Sequence, residues 1–127
     1  MAYASIVAVL ALLEYYVFIL LVGKMRGECK IQAPATTGDP KFERYYRVQQ
    51  NTAEQLIVFL PALYLFAAYV DGTWAAVVGL AFIAGRAWYA VSYYEEAKKR
   101  SNGFLVTFLS EMVLLVGGLI GAIRAAF

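Results

Sequence analysis

Residues 3–22 read YASIVAVLALLEYYVFILLV, an apolar run with a single charged side chain, Glu14. A helix needs about 20 mostly apolar residues to cross the hydrocarbon core of a bilayer. The run is too long for the apolar region of a secretory signal peptide, no basic segment precedes it, and GKMR (23–26) follows it in place of a small-residue cleavage site. It is therefore predicted to be a permanent membrane-spanning helix.

Three further apolar stretches follow, at about residues 52–70, 74–94 and 104–122. The 127 residues are 62% hydrophobic, with a mean hydropathy of +0.63, whereas soluble domains are about 45–50% apolar. We expect an all-α, integral membrane four-helix bundle in which residues 1–127 form one domain. The net charge of +2 gives no indication of nucleic-acid binding.

Positive charges are concentrated in two of the three loops. The loop of about residues 23–51 carries six of the eleven Lys and Arg residues and that of about 95–103 carries three, whereas 71–73 carries none. Because basic loops stay in the cytoplasm, both of these loops are predicted to be cytoplasmic and both termini to lie outside. No retention signal follows Phe127, which favours a bacterial inner membrane.

Turn and helix signals refine this arrangement. A Gly-Asp-Pro turn at 38–40 predicts that the second helix begins near Phe42. The segment EEAKKR (95–100) pairs opposite charges at helical spacing, so the third helix is expected to continue through it and to end at residues 102–103, Asn-Gly. The GxxxG spacing at 117–121 indicates close helix packing.

Metal chemistry has little support in the composition. Cys29 is the only cysteine, and the chain has no histidine. Disulfides within the chain and zinc or haem sites that use histidine are therefore excluded, and no metal cofactor is predicted. We interpret Cys29 as an ordinary loop thiol.

A polar stripe enters the membrane on the second helix. Arg47, Asn51 and Glu54 are spaced i, i+4 and i+7, which places them on one helical face. Arg44 lies one turn earlier, and Gln49 lies nearby. Charged groups at membrane depth are costly and usually face the bundle interior or a cavity. We therefore expect function along this face.

A second stripe, on the third helix, begins at the same membrane side. Arg86, Tyr89 and Tyr93 share a face, and Arg100 follows on it if the helix continues. An alternative is that Arg86 and Glu54 only neutralise each other and that the tyrosines only anchor the interface. The whole cluster instead suits an anionic polar small molecule, because guanidinium groups hold carboxylates bidentately.

Two segments resemble a known family. FERYYRVQQNTAE (42–54) resembles the signature segment of the MAPEG family, the membrane-associated proteins in eicosanoid and glutathione metabolism. GRAWYAVSYY (85–94) resembles the third helix of that family. The similarity covers nearly the whole chain and is strongest to the branch of leukotriene C4 synthase and the microsomal glutathione transferases of types two and three.

This resemblance implies a membrane-bound glutathione transferase that assembles as a homotrimer, with glutathione as co-substrate and a lipophilic electrophile as second substrate. Arg100 matches the arginine that activates the glutathione thiol, whose pKa of about 8.5 otherwise leaves little thiolate at neutral pH. Arg44 and Arg86 are expected to support the site. The implied glutathione-binding residues are Arg26, Arg47, Gln49, Asn51, Glu54, Tyr89 and Tyr93.

Several activities stay open at this point. The electrophile cannot be chosen from generic Leu, Val, Phe and Ala positions, and detoxification of halogenated aromatics, peroxidase activity on lipid hydroperoxides and an epoxide reaction all fit. A non-enzymatic lipid-binding member of the family is the main alternative. A small multidrug transporter is a remote one, because Glu14 lies in the middle of the first span. The roles of Glu14 and Glu111 are not assigned.

Overall fold

The computed structural model describes all 127 residues, and all its regular structure is helical. Helix α1 spans Ala2–Cys29, α2 Pro40–Tyr69, α3 Gly72–Glu95 and α4 Ser101–Ala126, with a short 3₁₀ turn, Ala97–Arg100, between α3 and α4. All four helices are long and apolar enough to cross a membrane. The prediction of an all-α chain with four membrane-spanning helices is confirmed.

The exterior of the bundle is apolar on every helix. Leu20 is 60% exposed, Ile57 74%, Val91 67% and Leu119 61%, one on each of the four helices. A soluble protein rarely exposes a continuous apolar surface of this extent, but hydrocarbon chains cover it without cost. The chain is therefore an integral membrane protein.

Two aspartates fix where helices begin. The Asp39 carboxylate accepts from the backbone N–H of Lys41 at 2.8 Å, and Pro40 occupies the first helical turn, where a missing N–H costs nothing. Helix α2 thus starts two residues before the predicted position. Asp71 caps α3 by accepting from the backbone N–H of Thr73 at 2.7 Å.

The core lies mainly between α1, α2 and α3. Phe59 of α2 and Phe82 of α3 are fully buried and stack with ring centroids 3.8 Å apart. Helix α1 contributes small residues, including Ala4, Ala8 and Ala11, to the same cluster. Helices α2 and α3 each contact all three other helices of the bundle. The polar residues on α2 are therefore fixed in position relative to those on α3.

Helix α3 ends earlier than the sequence indicates. It was expected to continue through Arg100 and to stop at residues 102–103, but it ends at Glu95, and Glu96 adopts an extended backbone with φ −159° and ψ 129°. The 3₁₀ turn follows, and residues 102–103 lie in the first turn of α4. Glu, Ala and Lys are all good helix formers, so tertiary contacts impose this break.

Gly103 does not end α3, as was predicted. It lies in α4, where it allows close packing against α3. A Cβ at this position would lie 2.3 Å from the backbone nitrogen of Tyr89, so α4 reaches α3 this closely only with glycine. Gly121 plays the same part against α2, because its Cβ would lie 2.7 Å from the carbonyl oxygen of Tyr69. The GxxxG glycines therefore serve helix contacts within the chain.

Candidate functional site

A cavity of about 690 Å³ opens between α2, α3 and the start of α4. Its size falls within the range of about 300–1,000 Å³ typical of small-molecule sites. Five residues predicted for the site meet here, from α2, α3 and the 3₁₀ turn. The cavity is lined by Arg47, Asn51, Tyr89, Tyr93, Arg100, Ser101, Phe104, Leu105 and Phe108.

The break after α3 directs Arg100 to this cavity. One Arg100 guanidinium nitrogen donates to the carbonyl oxygen of Ala97 at 2.7 Å, and its guanidinium carbon lies 5.8 Å from the centroid of the Tyr93 ring. Arg100 was expected to share a helical face with Tyr93 only if α3 continued as a helix, although the family resemblance also assigned it to the site. It lines the same cavity as Tyr93 by a different backbone path.

Asn51 is fixed from behind by a buried arginine. The Arg86 side chain is fully buried and donates to the Asn51 side-chain oxygen at 2.9 Å. Because an amide that accepts with its oxygen keeps its two N–H donors on the opposite side, Asn51 can donate to a ligand in the cavity. Arg86 also lies 4.1 Å from the Tyr89 ring centroid, so it supports two lining residues at once.

The alternative pairing of Arg86 with Glu54 is wrong. Glu54 is exposed and lies 3.5 Å from Arg47, also exposed, in an ion pair along the stripe of α2. Exposed pairs of this kind are weak, worth about 0–1 kcal/mol. Either partner can therefore exchange the other for a charged ligand.

Two carboxylates lie in the bundle beside Arg86. Glu111 is 5% exposed, and when the Gln55 amide nitrogen faces it, the amide donates to both carboxylate oxygens at 2.6 and 3.0 Å. Glu14 contributes a second acidic side chain, with one buried oxygen that has no partner. Both are close enough to act on Arg86 electrostatically. The four helices thus share one polar interior directly behind Asn51.

Three of the predicted glutathione ligands do not line this cavity. Arg26 lines a separate concavity of about 670 Å³ with Lys30 and Thr37, where it donates to the Ala35 carbonyl oxygen at 2.7 Å. Gln49 is half-buried, and Glu54 is exposed and pairs with Arg47, which lines the cavity.

The predicted supporting residue Arg44 also lies outside the main cavity, in an adjoining depression of about 460 Å³ that Arg47 and Tyr93 share. Its Nε donates to the carbonyl oxygen of Tyr94 at 3.1 Å. Arg86, the second predicted supporting residue, lies behind the cavity wall. No cluster of three or more His, Cys, Asp and Glu side chains suited to a metal ion is present in the chain.

The apolar wall of the cavity was missed by sequence reasoning. Ser101, Phe104, Leu105 and Phe108 of α4 complete the lining. Their spacing of three and four residues places them on one helical face, and that periodicity was a usable signal. It was obscured because α4 is apolar on nearly all sides, so no face stood out.

The fold and cavity define a class: a four-span helical membrane protein with an arginine-containing cavity that is polar on one wall and apolar on the other. The chain belongs to the MAPEG family, whose sequence model matches residues 4–120. The predicted family membership is confirmed.

Named relatives cover nearly the full chain. Human microsomal glutathione S-transferase 2 is 39% identical over 120 residues, which is 94% of this chain and 80% of that protein. Rat leukotriene C4 synthase is 30% identical, covering 97% and 87% respectively. An uncharacterized protein of Synechocystis sp. is 47% identical over 116 residues, covering 91% of this chain and 85% of its own length.

Proposed function

We propose that this protein is a membrane-bound glutathione transferase that stabilises the glutathione thiolate for attack on lipophilic electrophiles. The observation that carries the proposal is one cavity joining Arg47, Asn51 and Arg100 to the apolar side chains of Phe104 and Phe108. The two proposed reactants differ in the same way, since glutathione is a charged peptide and a lipophilic electrophile is lipid-soluble. Membership of the family and the transferase names of its relatives support it.

Glutathione carries two carboxylates, an ammonium group and a thiol, and the polar wall offers partners for each kind of charge. The Arg47 guanidinium and the Asn51 amide can donate to carboxylate or carbonyl oxygens, while Glu54, paired with Arg47, can accept from the ammonium group. Tyr89 and Tyr93 position the peptide, with Gln49 as a further polar contact. The contribution of the site is mainly orientation.

Arg100 is proposed to act on the reacting sulfur. A fixed guanidinium beside the thiol favours the thiolate, which is the nucleophile. The thiolate then forms a carbon–sulfur bond with the electrophile, whose leaving group departs with the bonding electron pair. An electrophile dissolved in lipid reaches the sulfur along Phe104, Leu105 and Phe108, which face the same cavity. Reduction of lipid hydroperoxides by the same thiolate is a second proposed reaction.

Assembly as a homotrimer is part of the proposal. Arg26 lines a concavity separate from that of Arg100, so one chain does not bring all the implied ligands together. A neighbouring subunit that supplies Arg26 would complete the site, and closed cyclic symmetry would generate equal sites at each interface. The distribution of Lys and Arg supports placement of the site at the cytoplasmic face of the membrane, which we propose is a bacterial inner membrane.

The test is an ultraviolet difference spectrum of the purified protein with glutathione near neutral pH. We expect a thiolate absorption band that is consumed when a chlorinated nitroaromatic is added and conjugate forms. Absence of both the band and glutathione binding would overturn the proposal and favour a non-catalytic lipid-binding protein.

Proton-coupled export of a lipophilic cation from liposomes would instead favour the transporter. A transporter of cations is disfavoured by the cavity that contains Arg47 and Arg100, for which a cation exporter has little use.

A further inference from the structure

The C-terminal end of α3 is held by the cytoplasmic end of α2. The last carbonyl groups of a helix have no partner within it, and the carbonyl oxygen of Tyr94 accepts from Nε of Arg44 at 3.1 Å. This is a contact between residues 50 positions apart in the chain. It therefore ties a specific turn of α3 to a specific turn of α2.

The neighbouring residue of α2 holds the same position through its ring. Tyr45 stacks on Tyr94 with ring centroids 3.8 Å apart and ring planes 7° from parallel. Stacked aromatic pairs contribute about 0.5–1.5 kcal/mol beyond the area they bury. We call the contacts of Arg44 and Tyr45 with Tyr94 the Tyr94 clamp.

The clamp lies immediately before the backbone break that delivers Arg100 to the cavity. Glu96, two residues after Tyr94, is extended, and the 3₁₀ turn begins at the next residue. Arg100 ends that turn and is held by the Ala97 carbonyl oxygen and by the ring of Tyr93. The Ala97 contact is local to the 3₁₀ turn, whereas the Tyr93 contact depends on where the final turn of α3 lies.

We propose that Arg44 and Tyr45 are positioning residues for Arg100: they fix the end of α3 so that the 3₁₀ turn presents the Arg100 guanidinium to the sulfur. The proposal rests on the proposed transferase function. General packing of α2 against α3 is already secured deeper in the bundle by Phe59 and Phe82. The Tyr94 clamp is therefore not needed for general packing and can position the segment after Tyr94, residues 95–100. The helix-forming residues of this segment would otherwise continue α3.

The experiment compares Arg44→Gln and Tyr45→Leu with the unmodified protein. Tyr45→Phe, which keeps the stacked ring, and Arg44→Lys, which keeps a cationic donor, test rescue by conservative change. Tyr46→Leu is the matched control, because Tyr46 is the adjacent tyrosine of α2 and stacks on Phe42, whereas Tyr45 stacks on Tyr94. Two properties are measured: amide hydrogen exchange of the peptide covering residues 95–101 without ligand, and the pH profile of the glutathione thiolate band.

We expect faster exchange of residues 95–101 in Arg44→Gln and Tyr45→Leu. The bound thiolate fraction at pH 7 should fall about three- to tenfold, since a displaced cation returns the thiol toward its free pKa of about 8.5. The glutathione dissociation constant should change less than twofold, and Tyr45→Phe should retain most of the band.

If the unmodified protein shows a thiolate band, any one of three results would overturn the proposal. They are unchanged exchange, faster exchange with an unchanged thiolate profile, and equal losses of binding and thiolate in the Tyr46→Leu control. Absence of a band in the unmodified protein would instead refute the transferase function. The two failures are thus distinguishable, and Tyr45→Leu keeps the test valid if Arg44→Gln does not fold.

Discussion

The charge of Arg100 is the residue-scale basis of the proposed chemistry. Replacing Arg100 with Gln removes the cation beside the sulfur, so turnover is expected to fall about 10²- to 10³-fold, the usual effect of losing one transition-state charge donor. Glutathione binding should change little, because Arg47 and Asn51 remain in the cavity. Single-turnover conjugation and equilibrium binding measured on the same preparation separate the two effects.

Lys98→Gln is the matched control for Arg100→Gln. Lys98 lies in the same 3₁₀ turn and is exposed, but it does not line the cavity. An equal loss of turnover in both variants would mean that only the general positive charge of the loop matters. Normal thiolate formation in Arg100→Gln would remove Arg100 from the proposed role.

Arg86 is expected to determine stability more than any exposed charge. It is the only fully buried cation, and it donates to the Asn51 side-chain oxygen inside the bundle. Arg86→Met leaves the buried Asn51 side-chain oxygen without its donor, so we expect a loss of roughly 1–3 kcal/mol. The measurement is the thermal unfolding midpoint in detergent, with Arg47→Met as the exposed control at less than about 1 kcal/mol.

A combined variant tests whether the carboxylates are the cause. Adding Glu14→Gln and Glu111→Gln to Arg86→Met removes both neighbouring carboxyl groups while nearly preserving side-chain shape. The combined variant should recover part of the lost stability, since interacting sites give non-additive effects. Further destabilisation on adding the two Gln substitutions would show that Arg86 acts through packing alone.

At the scale of elements, the close contact between α3 and α4 depends on Gly103, which has no side chain. Gly103→Ala would place a Cβ 2.3 Å from the backbone of Tyr89, so α4 must shift away from α3. Overpacking of this kind usually costs about 1–3 kcal/mol, and here the shift also moves Phe104 in the cavity wall. We expect a lower unfolding midpoint together with weaker conjugation.

Gly118→Ala provides the control on the same helix. The nearest atom to its added Cβ would be the backbone nitrogen of Phe66 at 3.6 Å, an ordinary van der Waals contact. This variant should be neutral or slightly stabilising, because alanine is the better helix former. If the two glycine variants behaved alike, the close approach of α4 to α3 at Gly103 would not be important.

The sequence was sufficient for the helices but not for all of their ends. Apolar length predicts four spans, and the Gly-Asp-Pro turn indicates the start of α2, because both signals are local. The break at Glu96 could not be predicted, since EEAKKR favours a helix and the contacts made to Tyr94 just before the break come from Arg44 and Tyr45, far away in the chain. The purpose of Gly103 is likewise visible only when α3 is beside it.

The polar part of the cavity was more predictable than its apolar part. Arg47 and Asn51 are recognisable as site candidates because polar groups in a membrane helix are costly and are usually functional. Their helical spacing places them on one face of the helix. The partner of Arg86 was not predictable, because Asn51 and Glu54 both lie within reach on one stripe and only packing places Asn51 inside. The wall of Phe104 and Phe108 is made of residues that any membrane helix carries.

For the whole molecule, the arrangement of its two basic concavities is the main constraint on assembly. The cavity with Arg100 and the concavity with Arg26 are lined by different residues of one chain. A strongly hydrophobic exterior is compatible with either lipid or another subunit as neighbour. If Arg26 acts on glutathione bound near Arg100, the two residues must come from different subunits, and that requirement can be tested genetically.

Subunit complementation gives the corresponding prediction. Arg26→Leu and Arg100→Gln should each abolish most activity alone, whereas co-expression should restore it, because a mixed cyclic trimer contains one interface with both arginines intact, about one third of the sites. Conjugation is measured on mixed complexes purified through a different tag on each variant. The reference for tag effects and expression is a subunit that carries both Arg26→Leu and Arg100→Gln, co-expressed with the unmodified protein. Mixed complexes as inactive as the single variants would show that Arg26 does not act across an interface, and mixed complexes that never form would argue against a homo-oligomer.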